Sequence, residues 1–242
     1  MNVLAFDTCF NACSVAVLRG AAGSNADRSI EPRLEMTSAF VEMATGHAER
    51  LLPMIERVLA ESACTFADLN ALAVTEGPGT FTGLRVGVAT ARALALAAGL
   101  PVRATTSLHV MAVRAAERLR AEGEMLAGPL AVSADARNGQ VFVQLFSPSL
   151  DAITGAMLLS PEEAAALEPA AALTCVGSGA GAVVNAAADA GRVVAGHFPG
   201  LLPDARDLAK LASRLPVRQP LVPLYLRAAD AKPQAGKSLP RA

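Results

Sequence analysis

The chain has 242 residues, a net charge of −1, and a composition that is 52% hydrophobic but only 4% aromatic. Its length is compatible with one large domain or two small ones, and its core has to be built from Ala, Val and Leu. The near-neutral charge excludes a protein that grips nucleic acid on its own, because phosphate affinity comes from clustered Lys and Arg.

Residues 2–7 form an apolar run ending in Asp7-Thr8, and residues 13–18 form a second β-type run, so together they predict a hairpin. Residues 20–32 have a loop composition, and 33–37 predict a third strand. A helix is predicted over 47–61, where Leu51, Leu52, Ile55, Val58 and Leu59 make one apolar face. Pro53 falls inside it, so either the helix starts near Leu52 or it kinks at the proline. A buried strand over 69–74 then leads into Glu76-Gly-Pro-Gly-Thr-Phe-Thr-Gly-Leu-Arg-Val-Gly87, and a helix follows over 82–98. Gly99 and Pro101 are its stop signal. A short strand at 102–104 and a helix over 108–122, capped from the Thr105-Thr106-Ser107 cluster, follow.

The second half has the same rhythm. A strand at 130–134 ends in Asp135, Asn138-Gly139 predicts a tight hairpin turn, and 140–146 alternates as a strand. Ser160-Pro161 starts a helix by cap and first-turn proline. A strand at 173–176, a second glycine loop at 177–181, and helices over 182–190 and 204–214 complete the order. Each half thus has a strand ending in Asp, a hairpin, and a strand–glycine-loop–helix unit, which predicts two α/β lobes of related topology. The divisions expected are 1–104, 105–200, and a returning helix with a polar, mobile tail at 201–242.

A strand that breaks into glycines and opens a helix leaves backbone N–H groups free for an anion or a partner. It is no P-loop, since Leu84 and Arg85, not a lysine, follow Gly83, and it fails the dinucleotide pattern because Thr82 occupies the third glycine position. Packing plus partner contact is favoured over nucleotide binding. Arg85 in the first turn opposes the helix dipole unless it is paired elsewhere. The four cysteines, Cys9, Cys13, Cys64 and Cys175, form no C-x-x-C pair and no metal set, so buried, reduced thiols are expected. Arg92, Gly99 and Pro101 interrupt the apolar stretch at 87–102, and the first residues lack a basic signal-peptide region. A soluble, cytoplasmic protein with no membrane span is expected.

The Asp7-Thr8 hairpin with Cys13-Ser-Val-Ala16, His47-Ala-Glu-Arg-Leu-Leu-Pro53, the glycine segment from Gly77, and Asp135-Ala-Arg-Asn-Gly-Gln-Val-Phe142 together resemble the TsaB (YeaZ) family. That family belongs to the bacterial machinery making threonylcarbamoyladenosine in tRNA. The resemblance is strong to about residue 145 and continues by element order to Pro223-Leu-Tyr-Leu-Arg227. It implies a two-lobed actin/Hsp70-like ATPase fold (ASKHA, ribonuclease H-like) with a degenerate active site. Asp7, Thr8, Gly77, Gly79, Thr80 and Gly83 would be a vestigial nucleotide-type loop.

The catalytic paralogue TsaD holds a metal with a His-x-x-x-His pair. Here Leu51 stands four residues after His47, so the resemblance implies no metal, no cofactor and no catalytic residue. It implies instead a scaffold that binds TsaD and the ATPase TsaE, meets tRNA only through the complex, and pairs with itself when isolated. His47, Arg50, Leu51, Ile55, Arg85 and Val88 would carry the partner surface, while Leu52, Ile55 and Leu59 also suit plain core packing. An active kinase or ATPase of the same fold is the alternative, and a glycoprotease-like metallopeptidase is a second. Residues 201–242 hold eight basic residues against three acids, which fits a solvated tail or a weak tRNA-facing contribution.

Overall fold

Strand β1 (Val3–Asp7) pairs antiparallel with β2 (Ala12–Gly20), placing Val3 opposite Leu18 and Asp7 opposite Ser14. This comes from a computed structural model that describes residues 1–20, 34–168 and 172–227. The loop expected at 20–32 lies outside those residues beyond Gly20, as does the tail from Lys232. Strand β3 (Leu34–Glu42) runs antiparallel to β2 and extends five residues past the predicted 33–37. Helix α1 (His47–Glu61) comes next, then β4 (Ala71–Thr75), α2 (Phe81–Ala98) and β5 (Val102–Thr105), with β4 parallel to both β1 and β5. The first sheet therefore has the order β3-β2-β1-β4-β5.

Helix α3 (Ser107–Ala121) leads to the second sheet, made of β6 (Leu130–Asp135), β7 (Val141–Phe146), β8 (Met157–Leu159), β9 (Thr174–Val176) and β10 (Ala195–His197). Helix α4 (Pro161–Ala165) joins β8 to β9, and α5 (Ala180–Asp189) joins β9 to β10. Read as β8-β7-β6-β9-β10, this sheet repeats the first in order and in strand direction. Strands β8 and β10 have no counterpart in the sequence reading. Each is three residues long, too short for an alternation signal, and is held by backbone pairing to its neighbour.

Both sheets are covered on two faces. Along β1, Leu4 and Phe6 enter the core under α1 and α2, whereas Val3 and Ala5 meet α6 (Ala205–Leu211) on the other side. Along β6, Leu130 and Val132 pack with Leu108 and Met111 of α3, while Ala131 faces α4 and α5. The helix that leaves the first lobe thus covers the second sheet, and the helix that leaves the second lobe covers the first. Where α3 and α6 meet, Lys210 binds Glu117 at 2.8 Å and Arg114 lies 3.6 Å from the buried Asp204. Burial pushes Asp204 up, but hydrogen bonds and charge from Arg206 outweigh it and hold the carboxyl below its ordinary range.

Helix α1 spans its whole predicted range, with Pro53 inside it and Gly46 left-handed at its start (φ 86°). The proline removes the N–H that Glu49 would have received. Helix α2 is 18 residues long with a mean hydropathy of 1.2, enough by length and composition to cross a bilayer. Its Leu84, Val88 and Ala91 are seated against the sheet, while 28% of the helix in all is buried. Thr106 caps α3 by accepting from His109 N at 3.0 Å, and Ser160 caps α4 with Glu163 in a capping box. The hairpin turn at 137–139 is left-handed throughout, with φ of 64°, 53° and 72°. All four cysteines are free and buried.

Candidate functional site

The glycine segment is a seat for α2. Thr80 caps the helix by accepting from Gly83 N at 3.3 Å, and its own N–H donates to Cys9 O at 2.5 Å. Thr8 Oγ1 donates to Gly83 O at 2.7 Å. A Cβ at Gly79 or Gly83 would run into the carbonyl of Cys9 or of Thr8, and one at Gly87 would lie 2.6 Å from Thr8 Oγ1. The spacing of four puts Gly83 and Gly87 on one face of α2, with Gly79 just before the Thr80 cap, where the β1–β2 turn presses against the backbone.

Asp7 is fully buried beneath that turn. Its carboxylate accepts from Thr75 Oγ1 and from Cys9 N at 3.2 Å. Cys9 Sγ lies 3.1 Å from Thr75 Oγ1, and since that hydroxyl proton is given to Asp7, the thiol is the donor. Burial raises the Asp7 carboxyl from 3.8 to about 6, against the lowering effect of the Thr75 and Cys9 bonds. Burial likewise pushes the Cys9 thiol well up.

The expected partner residues separate into two groups. Leu51, Ile55 and Val88 are at most 1% exposed, so their side chains are core and cannot meet a partner. Leu52, read as core, is instead 49% exposed, because the sheet takes the stripe of Leu51, Met54, Ile55 and Val58 and turns position 52 outward. His47 is also buried, and its Nε2–H donates to Phe10 O at 3.0 Å, tying the β1–β2 turn to the start of α1. Arg50 and Arg85 are exposed. Arg85 has the partner its helix position called for: Nε donates to Tyr225 Oη at 2.8 Å, and the guanidinium lies 3.7 Å from the Phe81 ring centroid.

Between the lobes lies a cavity of about 580 Å³. Its walls are Phe10 and residues 44–47 at the start of α1, residues 79–82 at the start of α2, 135–137 and Phe142 of the second lobe, and Leu224, Tyr225 and Arg227. Of the residues expected to form a vestigial loop, Gly79 and Thr80 line it. Asp7, Thr8, Gly77 and Gly83 do not; the first two are buried behind the turn. The wall from 135–137 and the closing Tyr225 were not anticipated as site residues, though the matching of Asp135 to Asp7 at strand ends was a usable signal. Two helix N-termini and Arg137 favour an anion in the cavity, and the exposed Asp135 beside Arg137 opposes one. Among the described residues, no group of three His, Cys, Asp or Glu is arranged to hold a metal.

This two-lobed architecture matches a solved structure, YeaZ from Pseudomonas aeruginosa, with a TM-score of 0.73 and 31% identity over 93% of this chain and 99% of that one. The chain belongs to the TsaB/YeaZ family. The profile of the related TsaD family, tRNA N6-adenosine threonylcarbamoyltransferase, matches residues 41–202. The tRNA threonylcarbamoyladenosine biosynthesis protein TsaB of Escherichia coli (strain K12) is 36% identical over 142 residues, 59% of this chain and 53% of that protein. The match thus spans about half the length of that relative. A tRNA N6-adenosine threonylcarbamoyltransferase of Erythrobacter litoralis is 47% identical over 76 residues, 31% of this chain and 22% of that enzyme.

Proposed function

We propose that the chain is a non-catalytic subunit in the formation of N6-threonylcarbamoyladenosine on tRNA, binding and organising its catalytic paralogue TsaD. The observation that carries this reading is the outer surface of the α1–α2 layer. Leu96 is 88% exposed and Leu52 49% exposed, and Ala89, Ala93 and Ala97 lie on the outward side of α2. Helix α2 contains no Asp or Glu, and its two arginines are engaged with Tyr225 and with the Leu221 carbonyl. The apolar outer face of α2, bordered by Leu52 and by the exposed charges Glu49, Arg50, Glu56 and Arg57 of α1, is suited to packing against a matching pair of helices. Family membership and the TsaD profile support a paralogous partner built on the same layer.

The scaffold reading also draws support from Asp7. An acid that is buried and committed to Thr75 and Cys9 is not available to phosphate or magnesium. TsaE would bind the joint surface, tRNA would be reached only through the assembly, and an isolated chain would pair through the same layer. The cavity favours one alternative, a nucleotide-using enzyme, whose mark would be ATP turnover by the isolated chain.

Light scattering on the chain mixed with TsaD tests the proposal. The wild type should form a one-to-one complex at micromolar concentrations. The Leu52→Glu, Leu96→Glu double variant should stay apart while keeping the wild-type unfolding temperature within a few degrees, since both side chains are on the surface. Absence of any wild-type complex would sink the scaffold reading.

A further inference from the structure

The segment after α6 ties the two lobes together on the cleft side. It runs first along the first lobe: Arg218 N donates to Val102 O at 2.9 Å, and Leu221 is 4% exposed within the core under α1 and α2. Arg92 Nε donates to Leu221 O at 2.8 Å, and Leu224 N donates to Glu76 O at 2.6 Å. The chain then changes lobes. Leu226 packs on the core beneath β6 and β7, and Arg227 donates to Ala136 O.

The crossing is less buried than the Leu221 anchor before it: Leu224, Leu226 and Arg227 are half-buried and Tyr225 is exposed. Tyr225 is 44% exposed and is held by Arg85 and by the Phe81 ring, whose centroid is 5.4 Å away. Leu224, Tyr225 and Arg227 all face the cavity, whereas no residue of α3 or α6 lines it among the described residues. The helices that cross between lobes and the strap that closes the cavity are thus different elements.

We propose that residues 225–227 are a releasable latch: Tyr225 leaves Arg85 and Phe81 of the first lobe, Leu226 and Arg227 leave the second, and the cavity widens while both lobes stay folded. Segments with exposed hydrogen bonds and few buried side chains open at a lower free energy than the core they rest on. The latch meets the proposed partner layer at Arg85 of α2, which its release would free, and measurements on the isolated chain test it apart from any partner.

The sequence supplies the probe. Tyr225 is the sole tyrosine and the chain has no tryptophan, so tyrosine fluorescence reports on the latch alone. In a urea titration, acrylamide quenching of Tyr225 should rise before far-UV circular dichroism changes. Because Tyr225 is already 44% exposed, full release should raise quenching about twofold. Leu226→Ala should bring the native protein most of the way to that value, at a cost of about tenfold in its global unfolding equilibrium, the share that latch closure contributes. Hydrogen exchange on the same variant should quicken at 79–82 and 135–137 and stay unchanged in β1 and β4. Coincident tyrosine and dichroism transitions in wild type and variant would overturn the latch. So would an early tyrosine signal with no faster exchange in those two walls.

Discussion

The two lobes share one topology and use it differently. In the first, the two helices on the outer face of the sheet have 15 and 18 residues; their counterparts in the second, α4 and α5, have 5 and 10. The strand-end acids diverge too. Asp7 is buried under a turn that α2 presses upon, whereas Asp135 is exposed, accepts from Arg137 N at 2.8 Å, and lines the cavity. Glycines make close approaches in both lobes: Gly83 meets the Thr8 carbonyl, and Gly177 meets the Ser133 carbonyl. The conserved part of the plan is therefore the close packing of a helix start on the first hairpin. Helix length and the burial of the acid are what vary, and they separate a lobe with an outward apolar layer from a lobe that walls the cleft.

The sharpest way to break this comparison is through α1. Leu51→Ala should cost about 2–5 kcal/mol in urea unfolding, since Leu51 is completely buried. A cost below about 1 kcal/mol would mean that α1 is an added layer and not part of the first lobe's core.

Next in size is the buried acid. A carboxyl raised from 3.8 to about 6 favours folding when protonated, so its stabilising contribution is complete below pH 3.8 and is lost as pH rises through about 6. Asp7→Asn keeps a neutral, isosteric group. Its stability should match the wild type near pH 3.5, pull ahead between pH 4 and 6, and level off about 3 kcal/mol higher. Asp207 is also raised to about 6, mainly by burial, but it is present in both proteins and cancels from the difference. Thermal unfolding across pH 3.5 to 8 reads this directly. A constant difference across that range would mean that burial does not raise the Asp7 carboxyl.

The smallest effect compares glycines. Gly83→Ala should destabilise by roughly 1–3 kcal/mol, because the new methyl has to displace the Thr8 carbonyl. Gly181, inside α5, has nothing within 4 Å of an added Cβ, and Gly181→Ala should stabilise by about 0.5–1 kcal/mol. Equal and small effects at the two sites would show that the α2 seat is looser than its geometry.

The sequence by itself determined the order of the long elements, the Asn138-Gly139 hairpin, the capping cluster at 105–107, the Ser160 cap, and the doubled plan of two lobes. Each of these is written in short-range signals: periodicity, turn chemistry and cap residues within a few positions of one another. The glycines of α2 were legible as special, and the family resemblance was carried by the same segment. What the tertiary structure alone decided was which apolar residue is inside. Leu51 and Leu52 are neighbours in the same apolar run, and only the sheet beneath α1 sends one inward and leaves the other out. The covering of the second sheet by α3, the burial of Asp7, and a cavity built from residues as distant as Phe10 and Tyr225 were equally out of reach. They rest on contacts between segments far apart in the chain, and nothing in a local window encodes which distant surface will cover it.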